Sequence, residues 1–291
     1  MGKAKTPGGV LKTRPTRVFA LGPEGTFSDQ AARLLWNRQG EGVPPIEYTR
    51  TIPEVLSRTE AEGRALGVIP IENSVAGTVA QAQDGMVTHR LTILWEINLA
   101  VRFSLLANAP LGDVETYYSH PQAFDQCSEY LAAHLSQGRV VFTDSNIASE
   151  RHLRDHGASP PAAAIVPVEV GAAHPELLVA EEIQDFPNNT TRFLVVRRAA
   201  AKERFDFSRR KTSLLIEPHE DYPGLLYELL SVFQMHRLNL CRLESRPAKV
   251  TPWAYVFYID CNNNEASAAC LADLRRTRNK ITVLGSYDLL E

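Results

Sequence analysis

From Arg17 onward the chain alternates short apolar runs with stretches of helical period: RVFALG, then SDQAARLLWNRQG, then GVIPI, then VAQAQDGMVTH. Strands alternating with helices predict an α/β sheet with sites at the strand ends. The same grammar returns in ETYYSH, PQAFDQCSEYLAAHL, RVVFT, SNIASERHLRDHG and AAAIVPV. A second α/β lobe is expected there, although no sequence repeat relates the two. At RRAAAKERFDFSRRK, Arg197 to Lys211, the composition turns charged, which reads as a linker. Beyond it the pattern predicts a strand (Thr212 to Ile216), a helix (about Pro223 to His236), two strands (Leu240 to Ser245 and Trp253 to Asp260), a helix (Ala266 to Arg276) and a last strand (Ile281 to Tyr287). Two βαβ units in one small open sheet make a ferredoxin-like βαββαβ domain.

Composition narrows the class. With 291 residues, 44% of them hydrophobic and 22% charged, the chain has material for about two domains with real cores. A net charge of −3 leaves no electrostatic footprint for nucleic acid or an anionic membrane, so an anionic substrate must be met by specific local groups. Cys127, Cys241, Cys261 and Cys270 lack short paired spacing, which argues against a zinc site or a disulfide framework and fits a reducing cytoplasm. Residues 1–16 are polar and basic without an apolar signal core and read as a flexible tail; no segment reaches membrane-spanning length. Gly2 to Thr6 matches a myristoylation pattern and Asn189 heads a glycosylation sequon, but neither has the context it needs. His152 and His156, four apart on a predicted helix, lack the surrounding zincin pattern and read as a solvated face. No Walker loop, dinucleotide fingerprint or nucleophile elbow occurs.

What remains is a set of polar loops at strand ends. GPEGTFSDQAA follows the first strand, where Thr26 and Ser28 can cap a helix and leave its N–H groups facing an anion; a plain strand-to-helix turn is an equally good reading. GVIPIENSVAGTV ends a buried strand in Glu72-Asn73-Ser74, with Gly77 and Thr78 at the next helix start. YYSHPQAFDQC carries Ser119 at a strand end and places Gln122 and Gln126 on one helical face, with His120 read as a cap or core residue. DFPNNTTRFLVV, Asp185 to Val196, is either a turn leading into a strand or a rigid mount for hydroxyl, amide and guanidinium groups.

Taken together, GPEGTFS, GVIPIENS, SHPQAFDQC and NNTTRF, in this order and spacing, resemble prephenate dehydratase, and LESRPAK at Leu243 to Lys249 resembles the ligand motif of that family's ACT domain. The resemblance spans roughly Arg17 to the C-terminus. It implies a catalytic region resembling a two-lobed periplasmic binding protein, residues 17–200, with lobes of about 17–92 plus 185–200 and 93–184. An ACT regulatory domain would occupy 211–291. It further implies loss of carbon dioxide and the ring hydroxyl from prephenate to give phenylpyruvate, which needs positioned donors and no cofactor or metal.

By the same resemblance Thr191 is the catalytic donor to the departing oxygen, with Asn73 and Gln126 also catalytic. Thr26, Ser28, Ser74, Ser119, Arg192 and Asp144 are substrate-binding candidates. Arg192 stands for either a substrate carboxylate or an internal acidic partner. Phenylalanine, as effector, would meet Gly224, Leu225 and Leu226 and, from the partner subunit of a homodimer or tetramer, the segment Glu244, Ser245, Arg246 and Pro247. Two departures stand out: AIVPVEVGAAHPELL is unlike the usual second-lobe stretch, and Leu225 replaces a common alanine, which is expected to shrink the effector pocket. The alternatives are an arogenate dehydratase, a prephenate decarboxylase, against which Thr191 and the ACT motif argue, and a non-catalytic amino-acid sensor.

Overall fold

The computed structural model describes residues 14–37, 44–155, 160–248 and 253–290; most of the predicted tail (1–13), His156 and Lys249 lie outside them. The first lobe runs β1 (Arg17–Leu21), α1 (Phe27–Asn37), β2 (Ile46–Thr49), α2 (Ile52–Ala61), β3 (Ala65–Asn73), β4 (Gly77–Thr78), α3 (Ala80–Thr88) and β5 (Leu91–Ala100). The second holds β6 (Phe103–Ala107), β7 (Thr116–Ser119), α4 (Pro121–Gln126), α5 (Ser128–His134), β8 (Arg139–Phe142), α6 (Asn146–Asp155), β9 (Ala162–Pro167), α7 (Val168–Ala172) and β10 (Leu178–Ala180). The unusual second-lobe stretch thus forms a buried strand, a short helix and an edge strand. The chain then returns to the first lobe as β11 (Thr190–Arg198), which lies antiparallel between β3 and β5.

The C-terminal unit is β12 (Lys211–Glu217), α8 (Leu225–Met235), β13 (Leu240–Pro247), β14 (Tyr255–Asn262), α9 (Ser267–Arg276) and β15 (Lys280–Leu290), in the strand order β13-β14-β12-β15. This is the predicted ferredoxin-like arrangement. α8 starts from Gly224, whose φ of 95° lies in the left-handed region that a side chain disfavours. Its inner face buries Leu225, Leu229 and Phe233 against Leu214, Ile216 and Leu274.

Two features depart from the sequence-based expectation. The crossing between lobes is expected near residue 92, but β5 stays in the first sheet to Ala100, because its backbone pairs with β11 along one side and with β15 along the other. The C-terminal sheet is also not separate: β15 runs parallel to β5, so that among the described residues ten strands form one sheet and five strands of the second lobe form another. One apolar cluster crosses the seam, joining Ile69, Ile93 and Leu194 to Leu215, Tyr258 and Leu284. The close approach needs Gly285, where a Cβ would stand 2.6 Å from the Ile93 carbonyl oxygen.

Candidate active site

The β3–β11 register sets Thr191 directly opposite Asn73 and Arg192 directly opposite Glu72. Since successive strand residues point to opposite faces, these two pairs lie on opposite sides of the sheet. On one face Asn73 is the centre of a small polar cluster. Its Oδ1 accepts from the backbone N–H groups of Val75 (3.0 Å) and Ala76 (2.8 Å), which fixes the amide. Its Nδ2 then donates to Thr191 Oγ1 (2.9 Å) and to Asn189 Oδ1 (2.8 Å). Ser74 locks the same corner, its hydroxyl oxygen accepting from Thr190 N–H (2.9 Å) and its own N–H donating to the Thr190 carbonyl (2.9 Å).

Arg192 belongs to a different structure. It ion-pairs with Glu72 and with Asp260 of β14, each at 3.3 Å, and lies 3.7 Å from Glu96. Glu96 also holds Lys211 at 2.8 Å, and Asp260 accepts from Ser213 at 2.5 Å. Burial works against the Arg192 charge, and Glu96, Asp260 and Glu72 more than restore it, so its pKa stands above the ordinary value. Of the two readings of Arg192 left open by the sequence, this geometry favours the internal acidic partner. Arg242 extends the network, reaching Glu244 (2.7 Å), Gln83 (3.1 Å) and Thr78 (3.2 Å), while Thr78 donates to Glu244 (2.5 Å) and Arg246 reaches Asp84 (3.4 Å). The Glu244 and Arg246 side chains therefore face the first lobe within the chain. Ser245 and Pro247, on the alternate face, are exposed.

In the second lobe Ser119 is fully buried, its hydroxyl donating to the His120 carbonyl (3.0 Å). His120 caps α4, accepting from Gln122 N–H, and its burial pushes the imidazole pKa down against the opposing pull of exposed Asp144. Gln126 is buried with no partner for its Nε2 among the described residues, while its backbone carbonyl accepts from Asp185 N–H (2.8 Å). Asp185 in turn caps α5 through Ser128 Oγ (2.8 Å) and Glu129 N–H (3.1 Å). The segment returning to Thr191 is thus anchored on the helix that carries Gln126.

The first loop takes the helix-start reading, Thr26 Oγ1 accepting from Asp29 N–H (3.4 Å) in the first turn of α1. Thr26 Oγ1 donates back to the Pro23 carbonyl (2.9 Å), and the buried carboxylate of Asp29 already takes Gly25 N–H (2.9 Å) and Tyr48 OH (2.8 Å). Ser28 is buried in the first turn of α1. This helix bridges the lobes, with Phe27 edge-on to Phe103 (5.5 Å) and Gln30 donating to Glu169 (2.9 Å). Leu225, expected to size an effector pocket, instead turns its side chain into the C-terminal core, as a residue on the apolar face of α8 must. Asn189, part of the NNTTRF motif but assigned no role there, is the residue that sequence reasoning missed; its place two before Thr191 was the available signal.

Two α/β lobes with amides and hydroxyls clustered where the chain crosses back into the first, followed by a βαββαβ unit, define a two-lobed enzyme with a C-terminal ACT domain. Residues 18–201 match the family described as prephenate dehydratase. The chain belongs to that family, and it is an enzyme of the carbon–oxygen lyase class. It is 32% identical over 280 residues to the prephenate dehydratase of Methanocaldococcus jannaschii, covering 94% of this chain and 98% of that one. With the bifunctional chorismate mutase/prephenate dehydratase of Aquifex aeolicus it shares 34% over 277 residues, 93% of this chain and 73% of the relative. Among solved structures it superposes on the prephenate dehydratase of Arthrobacter aurescens in complex with L-Phe, with a TM-score of 0.79, 32% identity, and coverage of 94% and 89%.

Proposed function

We propose that prephenate binds between the two lobes and is converted to phenylpyruvate there, with Thr191 as the donor to the departing hydroxyl. One observation carries this: Asn73 Nδ2, which can only donate, points at Thr191 Oγ1 from 2.9 Å. The threonine oxygen is thereby an acceptor, and its own hydrogen is free for another oxygen. The N–H also stabilises negative charge that builds on Oγ1 as that hydrogen is given up. In the reaction the bond from the ring to its carboxylate breaks and carbon dioxide departs. The electron pair enters the ring, the ring carbon–oxygen bond breaks, and the leaving hydroxide with a proton becomes water. A positioned donor of this kind contributes roughly 10²–10⁴ in rate.

Asn73 is then the positioning partner, and Gln126 supplies a second-lobe donor whose buried N–H has no partner among the described residues. Ser74 and Ser119 shape the two walls, and Thr26 and Ser28 hold the start of α1, the helix that packs across both lobes. Arg192 is assigned to the tie between the catalytic region, 17–200, and the regulatory domain, 211–291. Asp144 opposes the lowering of the His120 pKa and keeps its place as a candidate for substrate binding.

L-Phenylalanine is the proposed effector, since the Arthrobacter relative was solved with it. It would bind between the Gly224–Leu226 turn and the Glu244–Pro247 strand of a partner subunit. A homodimer or tetramer built through the ACT domains is supported by large exposed apolar residues there: Tyr227, Met235, Leu243, Trp253 and Tyr255. The four unpaired cysteines suit a reducing cytoplasm. Among the described residues no helix is long and apolar enough to cross a membrane.

The test is ultraviolet detection of phenylpyruvate from prephenate, with and without phenylalanine, and with arogenate as the competing substrate. Turnover of prephenate that phenylalanine suppresses is expected. Phenylalanine binding without any phenylpyruvate would make the chain a sensor instead, and preferential use of arogenate would reassign the substrate.

A further inference from the structure

Asn189 is 2% exposed and sits where the chain re-enters the first lobe. Its backbone is occupied on both sides: its N–H donates to the Phe186 carbonyl (3.1 Å), and its carbonyl accepts from Val101 N–H (2.8 Å), so the outgoing and returning crossings are bonded to each other. The side-chain orientation is set by its neighbour. Because two backbone N–H groups claim Asn73 Oδ1, Asn73 must present Nδ2, and Asn189 must answer with its oxygen. That leaves Asn189 Nδ2 buried with no partner among the described residues. Native proteins rarely tolerate an orphaned buried donor, and holding Asn73 requires only an acceptor. The amide brings an additional N–H that nothing among the described residues uses.

Resting on the prephenate reading above, we infer that Asn189 Nδ2 is a substrate donor, directed to the carboxylate that leaves as carbon dioxide. Asn189 and Thr191 both meet Asn73 Nδ2 and so face the same space. Thr191 Oγ1 and Asn189 Oδ1 lie 2.9 and 2.8 Å from that one nitrogen, so both side chains can serve groups of a single six-membered-ring substrate. With Thr191 at the hydroxyl, Asn189 meets the opposite end, where that carboxylate is attached. The choice of a neutral amide has a chemical reason. This carboxylate loses its charge as the reaction proceeds, and a cationic clamp would stabilise the reactant more than the transition state. Arg192, turned to the other face, leaves that position to a weaker donor. Asn189 gains and loses no proton in the step.

Steady-state kinetics with prephenate test the assignment. Asn189→Ala is expected to raise KM roughly tenfold to a hundredfold, the loss of one hydrogen bond to a charged group, while kcat stays within about threefold. Asn189→Asp keeps an oxygen for Asn73 and removes the donor. Its KM should rise further at neutral pH and fall as the pH is lowered and the new carboxyl takes up a proton. A fall in kcat with unmoved KM in Asn189→Ala would mean that the residue acts only through Asn73, and overturns the inference. So does a wild-type KM in Asn189→Asp, the variant to rely on if Asn189→Ala does not fold by circular dichroism. If the unaltered enzyme forms no phenylpyruvate, the prephenate reading fails and takes this one with it; turnover with unmoved KM removes the Asn189 assignment alone.

Discussion

Replacing Arg192 by methionine keeps its apolar stem and removes its charge, and the structure sets the size of the effect. Its guanidinium stands 3.3 Å from both Glu72 and Asp260. At an effective dielectric of about 20 each such contact is worth roughly 5 kcal/mol before desolvation is subtracted. Removing one partner of a buried pair costs about 3–5 kcal/mol net, because the other charge is left uncompensated. Two facts favour the lower end: Arg192 is 20% exposed, and Lys211 still neutralises Glu96 while Arg242 stands 3.8 Å from Glu72. We expect a loss of about 3 kcal/mol. In a cooperative unit of this size that corresponds to roughly 6–12 °C in Tm. Thermal unfolding tracked by circular dichroism measures it, with kinetics run well below the transition. KM should change little. Asp260→Asn, on the other side of the seam, should destabilise in the same sense, and the double variant less than the sum of the two. A Tm within a degree or two of the unaltered enzyme, together with a KM raised tenfold, would refute the reasoning and return Arg192 to the substrate.

Thr191→Val should lower kcat by about a hundredfold or more and Tm by only a few degrees, since it keeps the volume but leaves one Asn73 N–H without its acceptor; kinetics and a melting curve together check this. Gly285→Val drives a side chain into the Ile93 backbone and should lift β15 off β5, seen as faster proteolysis within residues 199–210 and a lower Tm. Leu225→Ala should destabilise by about 2–5 kcal/mol, as a buried leucine in a core does, and calorimetry should find phenylalanine affinity unimproved at temperatures where the variant is folded.

Much of the site was legible because its parts are local. The polar runs after β3 and before β11 interrupt strongly apolar strands, and an amide or hydroxyl at such a junction is marked by its contrast with the apolar residues beside it. Periodicity also bears on two residues whose roles the motifs left open. Thr191 and Arg192 are neighbours on a strand, so alternation alone denies them a common face. Leu225 is joined by Leu229 and Phe233 at helical spacing, which places it on the core side of α8. The role of Asn189 was out of reach, because it depends on which atom of Asn73 was already taken by the Val75 and Ala76 backbone.

By itself the sequence determined the α/β order, the ferredoxin-like C-terminal unit and the motifs that carry the chemistry, since strand and helix periods, turn residues and short polar signatures are written within a few residues of one another. Tertiary structure alone decided that β15 pairs with β5, that Asp260 reaches across to Arg192, and that Asn73 and Thr191, 118 positions apart, share a hydrogen bond. Strand edges offer the same N–H and C=O groups whatever their side chains, so pairing between distant strands is selected by how the whole apolar surface closes. No local pattern records that choice.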